Sequence, residues 1–298
     1  MKRQKRKDGP ERITQTVSGS WTLMDYLLAN FQGYSRNHKK AALKGGSVIV
    51  NGSVVTHHRH PLKDNDMISI AWSPTVQKIN FEGMDILYED DEFIVINKES
   101  GLLSIATDKG EDVTAYRQLS RYLRMADDRN RIYILHRLDR ETSGVMVFSK
   151  NQKLRDALQN NWEELVTQRE YIGIGEGELY PTSGTLVSWL KDGKNHKVVS
   201  SKIEGQGLKA ITEYSVLGTK LPYAKVQFRL RTGRKNQIRV QMQEIGHSIA
   251  GDRKYGAKTD PIGRVALHAV RIEFIHPFSS KKYVFECEPP KSMNRLVP

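Results

Sequence analysis

The segment HRLDRETSG, residues 136–144, carries the side chains best suited to chemistry in this chain of 298 residues. Asp139 lies at its centre, and the apolar stretches IYIL and VMVFSK on either side look like strands. Loops held between rigid strands are where catalytic groups tend to be placed. A carboxylate there can act as a nucleophile or stabilise developing charge, and a nearby guanidinium would lower its pKa and fix its direction. The alternative is a polar turn with a surface Asp–Arg pair, which an isolated RLD would favour.

Three other polar patterns lack what their chemistry would require. His57, His58 and His60 lie close together, but Arg59 is among them and no cysteine or carboxylate spacing completes a metal site. GIGEGE, which begins at Gly173, superficially resembles a dinucleotide-binding loop, yet no helix follows and its acidic side chains would oppose a pyrophosphate. The sequence contains no GKS or GKT of the Walker type. We therefore expect no metal and no nucleotide cofactor.

Short strands and a helix are predicted around the site segment. The strands are residues 93–97, 145–148, 171–174, 223–231, 271–275 and 283–286. The fourth alternates most clearly, because Val226 and Phe228 face one way while basic side chains face the other. Apolar spacing over residues 238–245 indicates a helix that Gly246 ends. The last two strands can pair through the turn HPFSS.

A small basic unit is predicted over residues 13–72. Apolar side chains at helical spacing follow Thr22, which can cap the helix, and Ser35 can cap a second one. VIV, an Asn-Gly pair and VV then indicate a tight hairpin, and a strand follows at residues 67–70. Basic side chains recur at intervals of three and four on the second helix and predict one stripe along a face, formed by Arg36, Lys39, Lys40 and Lys44.

The composition favours a polyanionic partner. Lys and Arg number 47 against 34 Asp and Glu, which gives a net charge of +13. Nucleic acid is the first candidate; a membrane surface is the rival, but no apolar run approaches the roughly 20 residues that span a bilayer. The single cysteine, Cys287, is expected to be a half-buried strand thiol. Residues 1–12 read as a basic, disordered tail without the apolar core of a secretion signal, which favours the cytoplasm.

HRLDRETSG resembles the signature of the RluA-type pseudouridine synthases, and further segments resemble blocks of that family in the expected order. These are YEDDEFIVINKESGLLS, QREYIGI, RTGRKNQIRVQM, GDRKYG and LHAVRIEFIHP, so the similarity covers residues 85–290. SRNHKKAALKGGSVIVNG and LKDNDMISI resemble a small RNA-binding module first known from a protein of the small ribosomal subunit. The implied fold is α+β: a catalytic domain at 85–298 built on a mixed, largely antiparallel central sheet, preceded by a small α/β module and a linker at 73–84.

The resemblance implies that the chain converts uridine to pseudouridine in structured RNA without a cofactor. Asp139 matches the family's aspartate, which cleaves the glycosidic bond and lets the uracil re-attach through a ring carbon. Whether it adds to the sugar or the base, or removes a sugar proton, stays open. Arg239 matches the guanidinium partner of that carboxylate, and Tyr171 matches the aromatic that packs against the target base. The alternatives are a helix-surface arginine and ordinary strand packing.

A base inside folded RNA must leave its stack to reach Asp139. Arg137 matches the position that fills the vacated space in the family, with a phosphate contact or a structural ion pair as the alternative. Further RNA contacts are expected from His136, Arg140, Arg234 and Lys235. Large-subunit ribosomal RNA is the favoured substrate, transfer RNA is the second candidate, and an inactive RNA-binding or ribosome-assembly factor is the alternative without catalysis. We expect a monomer.

Two positions depart from the family pattern. Glu99 stands where a proline usually follows the lysine, which predicts a less rigid loop. Asn236 replaces the usual histidine three residues before Arg239, which predicts a change in how that segment packs or meets RNA.

Overall fold

The computed structural model describes residues 12–32, 34–71, 81–106, 110, 113–126, 129–193 and 197–298. The chain divides into two compact units, which are residues 1–80 with 120–131 and residues 81–119 with 132–298.

The predicted tail and linker fall mostly outside the described residues. Of the tail at 1–12, only Arg12 is described, and it lies in a strand rather than in an irregular segment. Of the linker at 73–84, residues 73–80 are outside the described ranges, and a strand already begins at Met84.

The first unit combines two helices with a four-stranded sheet. Its elements are β1 (Arg12–Thr16), β2 (Trp21–Thr22), α1 (Leu23–Asn30), α2 (Arg36–Lys44), β3 (Val48–Val50), β4 (Ser53–Val54), β5 (Pro61–Leu62) and β6 (Met67–Ala71). The sheet has the order β1-β6-β3-β4 with antiparallel pairs throughout, and β2 pairs with β5.

The caps and the turn predicted for this unit are present. The hydroxyl of Thr22 accepts the N–H of Asp25 at 3.3 Å, and the hydroxyl of Ser35 caps α2 in the same way. Asn51 and Gly52 have φ values of +48° and +83°, as the tight hairpin between β3 and β4 requires. Apolar side chains from both helices and the sheet share one core, which includes Leu23, Leu27, Leu43, Val48, Ile68 and Ile70.

The second unit contains the long sheet. The remaining strands are β7 (Met84–Glu89), β8 (Phe93–Lys98), β9 (Tyr133–Ile134), β10 (Ser143–Ser149), β11 (Gln168–Glu176), β12 (Ser183–Asp192), β13 (Val198–Ser201), β14 (Leu208–Lys220), β15 (Tyr223–Leu230), β16 (Leu267–Ile275) and β17 (Lys282–Glu286). The remaining helices are α3 (Ala115–Ala126), which belongs to the first unit from Ser120 onward, α4 (Gln152–Asn160), α5 (Trp162–Leu165), α6 (Gln237–Glu244) and α7 (Lys291–Asn294), with a 3-10 turn at Arg253–Tyr255.

The sheet order is β13-β12-β14-β15-β11-β16-β10-β8-β7, with β17 on β16 and β9 on β10. Of the described strand pairs in this sheet, β10 with β16 is parallel and the others are antiparallel. The predicted α+β fold on a mixed, largely antiparallel sheet is therefore confirmed.

The parallel junction of β10 and β16 requires a glycine. Gly144 has a φ of +119°, and a Cβ atom there would lie 2.2 Å from the carbonyl oxygen of Ala269. Only a residue without a side chain fits this approach. Because Gly144 is the last residue of HRLDRETSG, the end of the site segment is fixed to the centre of the sheet.

The helix α6 starts at Gln237, one residue before its predicted range. The core beneath it is apolar. Phe228, Met242 and Ile249 are fully buried there. Ile245, which the spacing assigned to the apolar face, instead follows the helix and is 36% exposed. Cys287 is half-buried as expected, but it lies just after β17.

The strands β12, β13 and β14 were not predicted from the sequence. They form one end of the sheet, where both faces meet solvent over part of their length. Val187 and Leu208 are 43% and 61% exposed, so apolar residues occur on faces where alternation would place polar ones.

Candidate active site

A cavity of about 260 Å³ opens beside Asp139. It is lined by the loop after β9, by α5, by β11 and by the stretch that leads into α6. Tyr171 and Arg239 line it as well. The structure thus brings together the carboxylate, the phenol and the guanidinium that the sequence singled out.

Backbone hydrogen bonds fix the Asp139 loop on both sides of the carboxylate. The hydroxyl of Ser104 donates to the carbonyl of Leu138 at 2.7 Å and accepts the N–H of Leu138 at 3.2 Å. On the other side, the N–H of Gly101 donates to the carbonyl of Arg140 at 2.7 Å. The backbone that carries Asp139 is therefore held in place before any substrate binds.

The turn after β8 supports the same loop. Lys98 is fully buried, and its Nζ donates to the carbonyls of Glu99, Leu102 and Arg140 at 2.9, 2.8 and 3.2 Å. The N–H of Glu99 donates to the carbonyl of Gly83 at 2.7 Å, a bond that a proline could not make. The departure from the family pattern at Glu99 therefore supplies a backbone hydrogen bond that ties this turn to Gly83.

The carboxyl group of Asp139 is harder to ionise than an exposed one. Burial raises its pKa, and the charge of Glu141 adds to the rise. Arg239 and Arg137 lower the pKa, as does the backbone N–H of Asn236, which donates to the carboxylate. Burial is the largest of these effects, so the pKa stays above the ordinary value and the ionised form is only partly compensated.

Arg239 is buried, and its hydrogen bonds go to groups other than Asp139. Its Nε and Nη2 donate to the two carboxylate oxygens of Asp252 at 2.6 and 2.8 Å, and its Nη1 donates to Glu141 at 2.8 Å and to Asn236 at 3.2 Å. Burial opposes the charge of Arg239, but these partners raise its pKa overall. The predicted pairing of Arg239 with Asp139 is corrected. The charge of Arg239 lowers the pKa of Asp139, but the carboxylate that bonds to the guanidinium and fixes its direction is that of Asp252.

Asn236 links the two sides of the site. Its φ of +54° places it in the left-handed region, which asparagine tolerates better than most residues. In this conformation its N–H donates to Asp139. Its side-chain amide donates to the hydroxyl of Tyr255 at 2.9 Å and accepts from Arg239. Asn236, the second departure from the family pattern, therefore contacts the carboxylate of Asp139 through its backbone N–H and Arg239 through its side chain.

Tyr171 lies on β11 at an irregularity of the sheet. The register between β11 and β16 shifts between Glu170 and Tyr171, and such bulges redirect side chains near active sites. Burial raises the pKa of Tyr171 to about 12; the charge of Arg169 opposes this rise and that of Asp139 adds to it. The phenol therefore keeps its proton at neutral pH.

Trp162, Arg169 and His136 form a further wall of the cavity. The rings of His136 and Trp162 are 5.8 Å apart, and the guanidinium of Arg169 lies 5.9 Å from the Trp162 ring. Gly233 leaves room for Arg169, because a Cβ atom there would lie 2.5 Å from its Nη1. Flat groups of this kind are a surface on which a nucleobase can stack.

His136 is not a cation at neutral pH. Its Nε2 accepts the N–H of Val147 at 3.1 Å. Burial and, to a smaller extent, the charge of Arg169 lower its pKa to about 3. A contact of His136 with RNA would therefore be made by a neutral ring and not by an ion pair with phosphate.

The other predicted RNA-binding residues near Asp139 divide into two groups. Arg137, Arg234 and Lys235 have exposed side chains that line the cavity. Arg140 is not among the lining residues, and its Nε donates to the carbonyl of Gly101 at 3.0 Å. Arg140 therefore supports the turn after β8, and its contact with RNA stays a prediction.

The predicted basic stripe on α2 loses one member. Lys39 is 3% exposed, its Nζ donates to the carbonyl of Tyr34 at 2.6 Å, and burial lowers its pKa. It lies one helical turn before the buried Leu43 and shares that inward face, so the prediction of an RNA contact is wrong. The members with exposed or half-buried side chains are Arg36, Lys40 and Lys44.

Sequence reasoning missed Glu141, Asp252, Trp162 and Arg169. The first two were open to inference, since a buried arginine needs carboxylate partners, and Glu141 and Asp252 lie in segments already singled out. Nothing in the sequence indicated that Trp162 and Arg169 would meet.

Two kinds of feature are absent from the described part of the chain. No group of three or more His, Cys, Asp or Glu side chains is arranged there to hold a metal ion. No helix in these ranges is long and apolar enough to cross a membrane.

Known proteins are similar to this chain in sequence and in fold. A family model described as RNA pseudouridylate synthase matches residues 92–244. An uncharacterized RNA pseudouridine synthase of Mycoplasma pneumoniae is 31% identical in an alignment of 283 residues that covers 91% of this chain and 90% of that protein. A protein of Neisseria meningitidis serogroup B named ribosomal large subunit pseudouridine synthase D is 30% identical in an alignment of 291 residues that covers 92% of this chain and 77% of that protein.

A solved structure of human RNA pseudouridylate synthase domain containing 4 has the same fold, with a TM-score of 0.58 at 23% identity over 71% of this chain and 92% of the human one. With the family model and the bacterial relatives, this likeness shows that the chain belongs to the RluA-type RNA pseudouridine synthases and is an isomerase.

Proposed function

We propose that this pseudouridine synthase modifies uridine in large-subunit ribosomal RNA and that Asp139 is its catalytic carboxylate. The observation that carries the catalytic part is the carboxylate of raised pKa at a cavity shared with Tyr171 and Arg239. The reaction breaks the bond from uracil N1 to ribose C1′ and forms one from C5 to C1′. C5 loses a proton and N1 gains one, so the reaction needs no electron carrier.

Asp139 acts in its ionised form. As the uracil leaves, the sugar becomes electron-poor, and a carboxylate oxygen beside it can bond to it or stabilise its charge. The N–H of Asn236 and the positive charge of Arg239 orient and compensate this carboxylate. The loop that carries it is fixed by Ser104 and Gly101.

Tyr171 and the wall of Trp162 and Arg169 enclose the base. The Tyr171 phenol keeps its proton at neutral pH, so it offers the uracil a flat surface and a hydrogen-bond donor while the ring turns. Arg137, exposed at the edge of the cavity, fills the space that the uridine leaves in the RNA.

The choice of RNA rests on the relatives and on the charge. The Neisseria relative is named for the large ribosomal subunit, and the net charge of +13 suits a large folded RNA. Transfer RNA would satisfy the same charge. Ribosomal RNA as substrate would place the enzyme in the cytoplasm.

The N-terminal unit is proposed to add affinity for RNA. Arg36, Lys40 and Lys44 lie one helical turn apart on α2 and place positive charge along one side of the helix, where phosphates can be attracted. Lys40→Glu with Lys44→Glu should weaken RNA binding and reduce its dependence on salt. If the salt dependence of the binding constant stayed unchanged, the N-terminal unit would not contribute to RNA binding.

The test of the catalytic proposal is pseudouridine mapping of total RNA from cells that lack the gene, complemented with the wild type or with Asp139→Asn. The wild type should restore pseudouridine at one or a few positions of large-subunit RNA, and the variant should restore none. With purified protein, the variant should lose activity by at least about a thousandfold while it keeps its affinity for RNA within a few-fold. Turnover by the variant would refute the role of Asp139, and restored sites in transfer RNA alone would refute the ribosomal target.

A further inference from the structure

A second cavity, of about 430 Å³, borders the first in the same unit. It lies where the end of β12 meets the start of β14, with one side chain from β13. Gly207 permits this approach, because its φ is +149° and a Cβ atom there would lie 2.6 Å from the carbonyl oxygen of Leu190. Its lining residues outside the first cavity are Leu190, Lys191, Asp192, Val198, Gly207 and Leu208.

Gly233, Arg234 and Lys235 line both cavities and separate them. The Nε of Arg234 donates to the carbonyl of Lys209 at 3.1 Å, and the Nζ of Lys235 pairs with Asp192 at 2.9 Å. Both side chains are exposed, and exposed pairs of this kind contribute little to stability. A phosphate of the RNA can therefore replace the carbonyl of Lys209 and the carboxylate of Asp192 as the acceptor. The boundary between the cavities is therefore a positively charged bridge.

We infer that the second cavity binds the nucleotide next to the target uridine in the RNA strand. This inference rests on the proposed function, since the first cavity is taken to hold the uridine. The phosphodiester between the two nucleotides would then lie against Arg234 and Lys235, and the neighbouring base would enter the second cavity. Contacts to that phosphate set the register of the strand, and contacts to the base add affinity.

The lining of the second cavity fits one nucleotide. Leu208 is 61% exposed and offers apolar surface to the face of a base, beside the buried Leu190 and Val198. Lys191 adds a positive charge to the two on the bridge, and among the lining residues that the structure describes the acidic side chain is that of Asp192. A chain of negative charges with flat apolar bases matches both properties.

The experiment measures binding by fluorescence anisotropy of the full-length protein with two labelled single-stranded probes. One probe is a nonauridylate, and the other has the same sugar-phosphate chain without bases. Leu208→Asn tests the base contact, and Lys191→Glu tests the charge. The matched controls are Leu217→Asn and Lys220→Glu, because both residues are exposed on β14, the strand of Leu208, and neither lines the cavity.

Leu208→Asn should weaken binding of the nonauridylate by about fivefold and leave the baseless probe unchanged, since only the base contact is removed. Lys191→Glu should weaken both probes by about tenfold, and both controls should stay within about twofold of the wild type. The subsite would be overturned if the wild type and Leu208→Asn bound the nonauridylate equally well, or if the controls lost as much affinity as the cavity variants. It would also be overturned if the wild type bound neither probe. Pseudouridine mapping is read separately, so an inactive wild type refutes the proposed function, and an active one with unaffected variants refutes the subsite alone.

Discussion

The loop at residues 136–142 and the segment at 233–236 meet at one cavity, but they are held in different ways. The first is fixed through its backbone by Ser104, whose bonds are buried, and by Lys98 of the turn after β8, whose bonds are buried or half-buried. The second is braced mainly at its surface, by Arg234 on a carbonyl and by Lys235 on an exposed carboxylate. Buried backbone bonds rarely open, whereas exposed ion pairs break easily. The comparison indicates that the carboxylate stands on a rigid support and the proposed RNA contacts on an adaptable one.

Asn236 is the point where the two supports join. It belongs to the adaptable segment by sequence, yet it is buried and bonds to Asp139, Arg239 and Tyr255. Changes on the rigid side should therefore reduce turnover and stability, while changes on the exposed side should reduce affinity for RNA.

The largest effect is expected from Asp252→Asn, which removes the charge that compensates the buried Arg239. Breaking such a pair costs about 3–5 kcal/mol, so we expect a clear fall in the melting temperature and in kcat. Thermal denaturation and single-turnover rates measure both. The control is Asp260→Asn, whose partner Arg253 is 81% exposed and whose loss should cost less than about 1 kcal/mol. Equal stability of the two variants would contradict the account of Arg239.

Ser104→Ala should reduce turnover without reducing affinity. It leaves the N–H and the carbonyl of Leu138 without their hydroxyl partner, which costs about 1–3 kcal/mol and loosens the loop. We expect kcat to fall by about tenfold and the Kd for RNA to stay within about twofold. Ser201→Ala is the control, because its hydroxyl bonds to Gln206 at the surface. A lower affinity for RNA with unchanged kcat would contradict the role of Ser104 as a support of the Asp139 loop.

Arg234→Ala with Lys235→Ala should show the opposite signature. Removing two exposed phosphate contacts is expected to weaken RNA binding by about tenfold and to lower the salt slope by nearly two, with kcat unchanged at saturation. Arg253→Ala, whose side chain is 81% exposed and lines neither cavity, should bind like the wild type. A loss of kcat at saturating RNA would show that the segment supports catalysis directly.

The smallest effect is a shift in the pH profile. Because burial raises the pKa of Asp139, the ionised form is lost at a higher pH than for an ordinary aspartate, and kcat should rise with pH through that pKa and then level off. Arg137→Gln removes a charge that lowers the pKa, so the acid limb should move to higher pH. Arg140→Gln should leave the limb in place. Identical limbs in all three proteins would mean that another group controls the profile.

Local patterns predicted much of the fold. Thr22, Ser35 and the Asn51-Gly52 pair act through neighbours in sequence, so the first helices and the hairpin were accessible without a structure. The strands β12 to β14 were not, because an exposed sheet edge places apolar residues such as Leu208 on either face and obscures the alternation. Lys39 was misplaced for a related reason: charge alone does not show which side of a helix faces the core.

The sequence by itself identified the family and with it the reaction, because HRLDRETSG and the blocks after it resemble that family, and it singled out Asp139 as the proposed catalytic residue. Tertiary structure decided how that residue is supported. Asp252 and Glu141 hold Arg239, Ser104 holds the loop, and Asn236 adopts a left-handed conformation to reach the carboxylate. These partners are separated by tens of residues along the chain, and their contacts depend on the sheet register and on the close approach at Gly144. No local pattern encodes such distances, so Asp139 could be read from the sequence, whereas the packing of the sheet fixed the surroundings that set its pKa and its direction.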